Sequence, residues 1–349
     1  MNLQDLLQQA IARKASDLHL VVGIPPTVRV HGELSLLGDE KLTPSMTRAF
    51  IYDNLTAAQR ETFDANWELD FALPLSTGER FRVNVYLARG HIEAAFRSIA
   101  IKPPHLSELN APPVVAQLCR KTSGLVLITG PAGQGKTTTM AAMVNQINQE
   151  RHCRVITIED PIEYLHQNVN SVVIQREVGS DTKSFHGALV EVLRQDPDVI
   201  CIGEMRDRET IGTALTAAET GHLVMATLHT PDAPQCMNRI VDVFPGDQQD
   251  QIRLQLASTL EAVIGQQLLP RVDGLGRMLV AEIVVATTAV RSLIRDNRVD
   301  QLYTVMETGA IEGMMTRDRI LRDLMQKSVV TPEVALAHAR HPQALRSDV

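Results

Sequence analysis

Between residues 124 and 230 the chain alternates short apolar runs with helix-favouring stretches: GLVLITG, KTTTMAAMVNQINQE, CRVITIE, FHGALVEVLRQ, DVICIGEM, RETIGTALTAAET and HLVMATLHT. The apolar runs show no alternation of polar and apolar residues, so each reads as a strand buried on both faces. Strands joined through helices of this length return in the same direction, because an antiparallel return needs only a tight turn. The pattern therefore predicts an α/β fold with a parallel sheet covered on both faces.

Ahead of residue 101 the shorter runs LHLVV, TVRVHG, DFALPL and RFRVNVYL are interspersed with helical stretches such as TPSMTRAFIYDNL. This predicts a small antiparallel α+β domain over residues 1–100. Two Pro-Pro pairs in IKPPHLSELNAPPVV bias the backbone to extended conformations and mark 101–115 as a linker. The second domain then covers 116–349. Beyond residue 290, RSLIRDNRVDQLYTVME and RDRILRDLMQK predict a helical end.

The first strand–helix junction of the second domain carries GPAGQGKTT, residues 130 to 138: Gly130, Pro131, Ala132, Gly133, Gln134, Gly135, Lys136, Thr137 and Thr138. Gly130, Gly135, Lys136 and Thr137 fill the pattern G-x-x-x-x-G-K-[ST]. A glycine loop opening a helix presents backbone N–H groups that wrap a β-phosphate. Lys136 would reach the β/γ oxygens and the Thr137 hydroxyl an Mg²⁺ ion, so the loop is expected to bind ATP.

Hydrolysis needs further groups for the metal and the attacking water. ITIEDPIEY places Glu159, Asp160 and Glu163 just past the second strand, and VICIGEM places Glu204 at the end of the next. Carboxylates at the carboxyl ends of parallel strands face the ligand crevice. Glu159 and Asp160 equally suit a helix cap or a solvated loop. His229 ends a further strand at the crevice, whereas His222 starts that strand and reads equally well as structural.

A net charge of −7 without a dense Lys/Arg block speaks against a general nucleic-acid binder. No apolar run approaches the roughly 20 residues that cross a bilayer, and MNLQDLLQQAIARK lacks the apolar core of a signal peptide. A cytoplasmic location is expected. Four scattered cysteines without a C-x-x-C pair argue against a zinc ribbon or a disulfide framework.

Together, GPAGQGKTTT, ITIEDPIEY, LRQDPDVICIGEMRD and AAETGHLVMATLHT resemble the four signature segments of the secretion ATPase superfamily that powers type II secretion and type IV pili. ASDLHL, RFRVN, REVGSDTKSF, NRIVDVFP and AVRSLIRDN extend the resemblance along nearly the whole chain, and toward the PilT-type retraction ATPases. It implies a PAS-like N-terminal domain, a RecA-like ATPase domain and a homohexameric ring with ATP between subunits. It further implies Glu204 as the metal-side acid, Glu163 as general base and His222 with His229 as the histidine-box pair. Arg82 and Arg97 fit a role in trans over the γ-phosphate, and Arg206 and Arg239 are in-domain candidates; each equally suits an ordinary ion pair.

A chain of this superfamily is expected to associate peripherally with the inner membrane through a polytopic platform protein and to work beside a paralogous retraction motor. The absence of a four-cysteine insertion, and of a longer N-terminal region, favours retraction over assembly or export. An accessory motor of the PilU kind, an assembly ATPase, a RecA-like nucleic-acid translocase and a non-hydrolysing regulator are the alternatives. Four positions depart from the family pattern: Gln134 replaces a small residue, Val190 and Gly212 stand where arginines are common, and Glu261 where a basic residue is usual. Shifted subunit contacts are the expected consequence.

Overall fold

The computed structural model describes residues 2–30, 32–75, 78–99 and 102–346. They form two compact units, one of Met1–Lys102 with Glu163–Leu165, the other of Pro103–Ile162 with His166–Val349.

The first unit contains α1 (Leu3–Ala12), β1 (Asp17–Leu20), β2 (Thr27–Val30), β3 (Glu33–Leu36), α2 (Pro44–Tyr52), α3 (Ala57–Asn66), β4 (Glu68–Pro74), β5 (Arg80–Ala88) and β6 (His91–Ile99). Asn2 caps α1 by accepting the Asp5 N–H, and Leu3, Leu6, Leu7 and Ala10 bury its apolar stripe. The strands form one antiparallel sheet in the order β3-β2-β1-β6-β5-β4. Alternation sends Leu18, Val28, Phe81, Val83, Val85 and Phe96 into the core. On the opposite face Arg29, Asp17, Arg97 and Arg82 lie side by side in register across four strands.

The first helix of the second unit is α4 (Pro113–Leu118), where Pro113 occupies the first helical position, the one at which a missing N–H costs nothing. Then follow β7 (Gly124–Thr129), α5 (Lys136–Glu150), β8 (Arg154–Glu159), β9 (Val172–Glu177), α6 (Phe185–Val192), β10 (Val199–Ile202), α7 (Arg208–Glu219), β11 (Leu223–Leu228), α8 (Ala233–Asp242) and α9 (Gly246–Thr259). After them come β12 (Leu260–Pro270), β13 (Arg277–Val285), α10 (Thr288–Arg295), a 3-10 turn at Val299–Gln301, α11 (Leu302–Thr308), α12 (Arg317–Gln326), α13 (Pro332–His338) and α14 (Pro342–Arg346).

The sheet order is β13-β12-β7-β11-β10-β8-β9, parallel throughout except for β13, which pairs antiparallel with β12. Successive residues of each central strand divide between two cores. Leu125, Leu127, Ile156, Ile158, Ile200, Ile202, Val224 and Ala226 pack toward α6–α11, while Val126, Ile128, Val155, Val199, Cys201, Leu223 and Met225 pack toward α4 and α5. A strand buried on both faces needs apolar residues at every position, which is why these runs lack alternation. Cys201 is one such core residue, its thiol pushed up by complete burial.

At the far edge, Glu282 of β13 is 2% exposed and lies opposite Gly265 of β12. Its carboxylate accepts the Ala233 N–H at 2.7 Å and lies 3.4 Å from Arg317. Arg317 also donates to the Pro231 carbonyl at 2.9 Å. Asp232 caps α8 through the Gln235 N–H and is 3.4 Å from Arg340. The C-terminal helices are thereby tied to the loop that follows β11.

Candidate functional site

The strands β7, β8, β10 and β11 end together at one edge of the parallel sheet, and the residues that follow them build the site. After β7 the loop 130–135 turns through three glycines with positive φ, Gly130 at 150°, Gly133 at 74° and Gly135 at 78°. At Gly130 a Cβ would collide with the Gln266 carbonyl. Gly130→Ala is expected to cost about 1–3 kcal/mol and to weaken ADP binding at least tenfold; a melting curve and a fluorescent-ADP titration check both.

Lys136, the first residue of α5, is 7% exposed. Its ammonium donates to the carbonyls of Gly130 at 2.8 Å and Pro131 at 2.9 Å, and it lies 3.4 Å from His229 Nδ1. His229 Nε2 in turn lies 3.4 Å from Glu204, whose other oxygen receives Arg206 Nε at 2.8 Å. Lys136, His229, Glu204 and Arg206 therefore form one continuous polar chain across three loops.

Backbone bonds on either side fix Glu204. The Gly203 N–H donates to the Ile158 carbonyl at 2.8 Å, the Met205 N–H to the Thr227 carbonyl at 3.0 Å, and the Thr227 hydroxyl to the Gly203 carbonyl. Likewise the Thr129 hydroxyl donates to the Thr230 carbonyl at 2.7 Å and receives the Thr230 N–H at 3.1 Å, pinning the residue beside His229 to the end of β7.

Glu159, the last residue of β8, is buried and accepts the Thr157 hydroxyl at 2.6 Å and the Gln175 amide at 2.9 Å. Asp160 joins Pro161 through a cis peptide, and Glu163 falls, with Tyr164 and Leu165, in the first unit. His222 is not part of the polar chain. It precedes β11, so it sits at the opposite end of that strand from His229, roughly 20 Å away by strand rise, and its Nδ1 meets the Ala217 carbonyl at 3.0 Å.

Arg82 and Arg97 lie opposite one another on β5 and β6 of the first unit, paired with Asp70 at 3.8 Å and Asp17 at 2.9 Å respectively. Arg239 is exposed on the last turn of α8. Glu261 is held within its own unit by Lys121 at 2.7 Å and Arg291 at 3.0 Å, so the acid at this position finds its cations in the same chain.

Sequence reasoning missed the residues that back the loop. Gln266 of β12, 1% exposed, donates to the Gln134 carbonyl at 2.6 Å, and Arg277 of β13 donates to the Gly133 carbonyl at 3.2 Å. Gln266 was detectable as a polar residue inside an apolar run; Arg277 carried no signal. His166, whose N–H donates to Gln175 at 2.9 Å, is a further half-buried group beside the Glu159 cluster.

Burial pushes the His166 imidazole down to about 4, and its Nδ1 is buried without a hydrogen-bond partner. Because the folded value lies below the ordinary one, the unfolded chain binds the proton first. Stability is present above pH ~6.5 and is lost as the pH falls toward ~4, by up to ~3 kcal/mol from this group. His166→Gln should flatten that part of a plot of melting temperature against pH.

A glycine loop after β7, a helix starting at lysine and an acid at the end of β10, the next strand but one, on a sheet of this order, define a RecA-like P-loop ATPase. The chain belongs to the type II/IV secretion system protein family, whose model matches residues 72–275. It is 42% identical to the type IV pilus retraction ATPase PilT of Pseudomonas aeruginosa, over 98% of this chain and 99% of that one. To the type IV pilus ATPase PilU of the same organism it is 40% identical, over 99% and 91%. A crystal structure of the pilus retraction motor PilT with bound ADP superposes with a TM-score of 0.93 at 42% identity, covering 99% of both chains.

Proposed function

We propose that this chain is an ATPase that powers type IV pilus retraction, working as a cytoplasmic hexamer that engages an inner-membrane platform protein. The observation that carries the reading is the intact chain from Lys136 through His229 to Glu204, in a protein similar from end to end to a retraction ATPase. The nucleotide phosphates lie on the N–H groups of residues 133–137, and Lys136 leaves the carbonyls of Gly130 and Pro131 for the β/γ oxygens.

Mg²⁺ fits the donor set, because the Thr137 hydroxyl and the Glu204 carboxylate are hard oxygen ligands. When bound, it neutralises charge developing on the phosphate oxygens. Glu163 takes the proton of the attacking water, and His229, between Lys136 and Glu204, carries the state of the phosphate site to the loop after β11. Arg82 and Arg97 of a neighbouring subunit close over the γ-phosphate. No helix of the described residues is long and apolar enough to cross a membrane, and the link to the membrane runs through the platform protein.

The test is a count of surface pili on cells lacking this chain, complemented with wild type or with Lys136→Ala. Excess pili without twitching, corrected only by wild type, is the expected result. Bald cells would make the chain an assembly ATPase, and unchanged piliation would make it an accessory motor.

A further inference from the structure

We infer that Gln134 is a positioning residue that fastens the phosphate loop to β12 and so pre-sets it for the nucleotide, an inference that rests on the ATPase reading. Here the Gln134 side-chain oxygen accepts the Leu268 N–H of β12 at 2.6 Å, while its backbone carbonyl accepts the Gln266 side-chain amide at 2.6 Å. The neighbouring Gly133 carbonyl accepts Arg277 at 3.2 Å, so three bonds join two consecutive loop residues to one hairpin.

All three bonds use acceptor atoms of the loop, and none uses a loop N–H. In a planar trans peptide the C=O and the following N–H point in opposite directions. Anchoring the Gly133 and Gln134 carbonyls to the hairpin therefore turns the N–H groups of Gln134 and Gly135 away from it, as a phosphate cradle requires. Acceptor dipoles that would repel a phosphate are thus occupied by the protein's own donors before any ligand arrives.

A loop already in its binding shape loses less conformational freedom when nucleotide arrives. The Gln134 side chain supplies one of the three tethers. Gln266 contributes through a buried side chain packed beside Gly135, where an added Cβ would meet Leu268 at 3.3 Å and Gln266 Nε2 at 3.4 Å. The absence of a side chain at 135 and the presence of a long one at 134 serve the same contact.

The test compares wild type, Gln134→Ser and Gln134→Met for Kd of a fluorescent ADP and for kcat and KM of ATP. Methionine keeps the length and removes the acceptor. Both variants should bind ADP roughly five-fold more weakly, the worth of one such bond, with the loss appearing in kcat/KM rather than kcat and with the nucleotide-free melting temperature within about 2 °C of wild type. Unchanged Kd in both variants overturns the inference, as does a Gln134→Met protein that binds like wild type, since bulk would then suffice. Wild-type protein that fails to bind ADP at all would overturn the ATPase reading instead.

Discussion

Lys136→Ala is expected to lower ATP turnover by about 10³-fold, the scale on which one preorganised charge at a developing anion acts. The ammonium is already desolvated, 7% exposed and held by two carbonyls, so moving it onto the γ-phosphate exchanges one set of buried partners for another. Alanine leaves the Gly130 and Pro131 carbonyls without that donor and the phosphate without its cation. Phosphate release and fluorescent-ADP binding, measured together, check the result. Turnover within about tenfold of wild type would remove Lys136 from the chemistry.

Glu204→Gln is expected to cut kcat by ~10²–10³ with little loss of nucleotide affinity, because the amide keeps the shape and an acceptor for Arg206 while removing the charge that, on the proposed mechanism, would hold Mg²⁺. Its two oxygens meet Arg206 at 2.8 Å and His229 at 3.4 Å, so the variant also breaks the polar chain at its centre. Raised Mg²⁺ should restore part of the loss, and single-turnover measurements separate this from slow product release. Glu163→Gln in parallel assigns the second acid: if it turns over near the wild-type rate, Glu163 is not the general base.

Where a segment's own chemistry dictates its place, the sequence was readable. The helix α5 starts at Lys136 and ends at Glu150, the limits of the stretch KTTTMAAMVNQINQE, because a glycine loop and a polar end bracket it. The central strands were equally plain. Elements fixed by partners rather than by pattern were not. The exposed strand β3, ELSL, exists as the pairing edge of β2, and β6 carries Glu93 and two alanines inside HIEAAFRSI. β12 follows α9 without a turn residue between them. The stretch from Arg291 to Glu307 is broken where Asn297 adopts φ 55°, a helix stop that asparagine favours.

The site divides in the same way. The loop, Glu204 and His229 were legible because strand ends in a parallel sheet converge on one edge. The Gln266 and Arg277 contacts come from a hairpin more than a hundred residues downstream; the apolar run around Gln266 marks that residue as unusual, but nothing local says which loop it meets. His222 and His229 flank the six-residue strand β11, so they stand at opposite edges of the sheet, as their places at the start and end of that run in the sequence imply.

The pairing of Gly265 with Glu282 across β12 and β13 has a consequence for how sequences of this kind can drift. A Cβ at 265 would stand 2.8 Å from both Cγ and Oε1 of Glu282, and Glu282 cannot swing aside without releasing the Ala233 N–H and Arg317. Substitution here has a direction: the acid must shorten before position 265 can take a larger residue, and the Ala233 nitrogen, 3.1 Å from the added Cβ, must give by a few tenths of an ångström as well. A lineage that takes the steps in the reverse order passes through a chain with an evicted buried charge, so these two sites are expected to change as a pair or not at all.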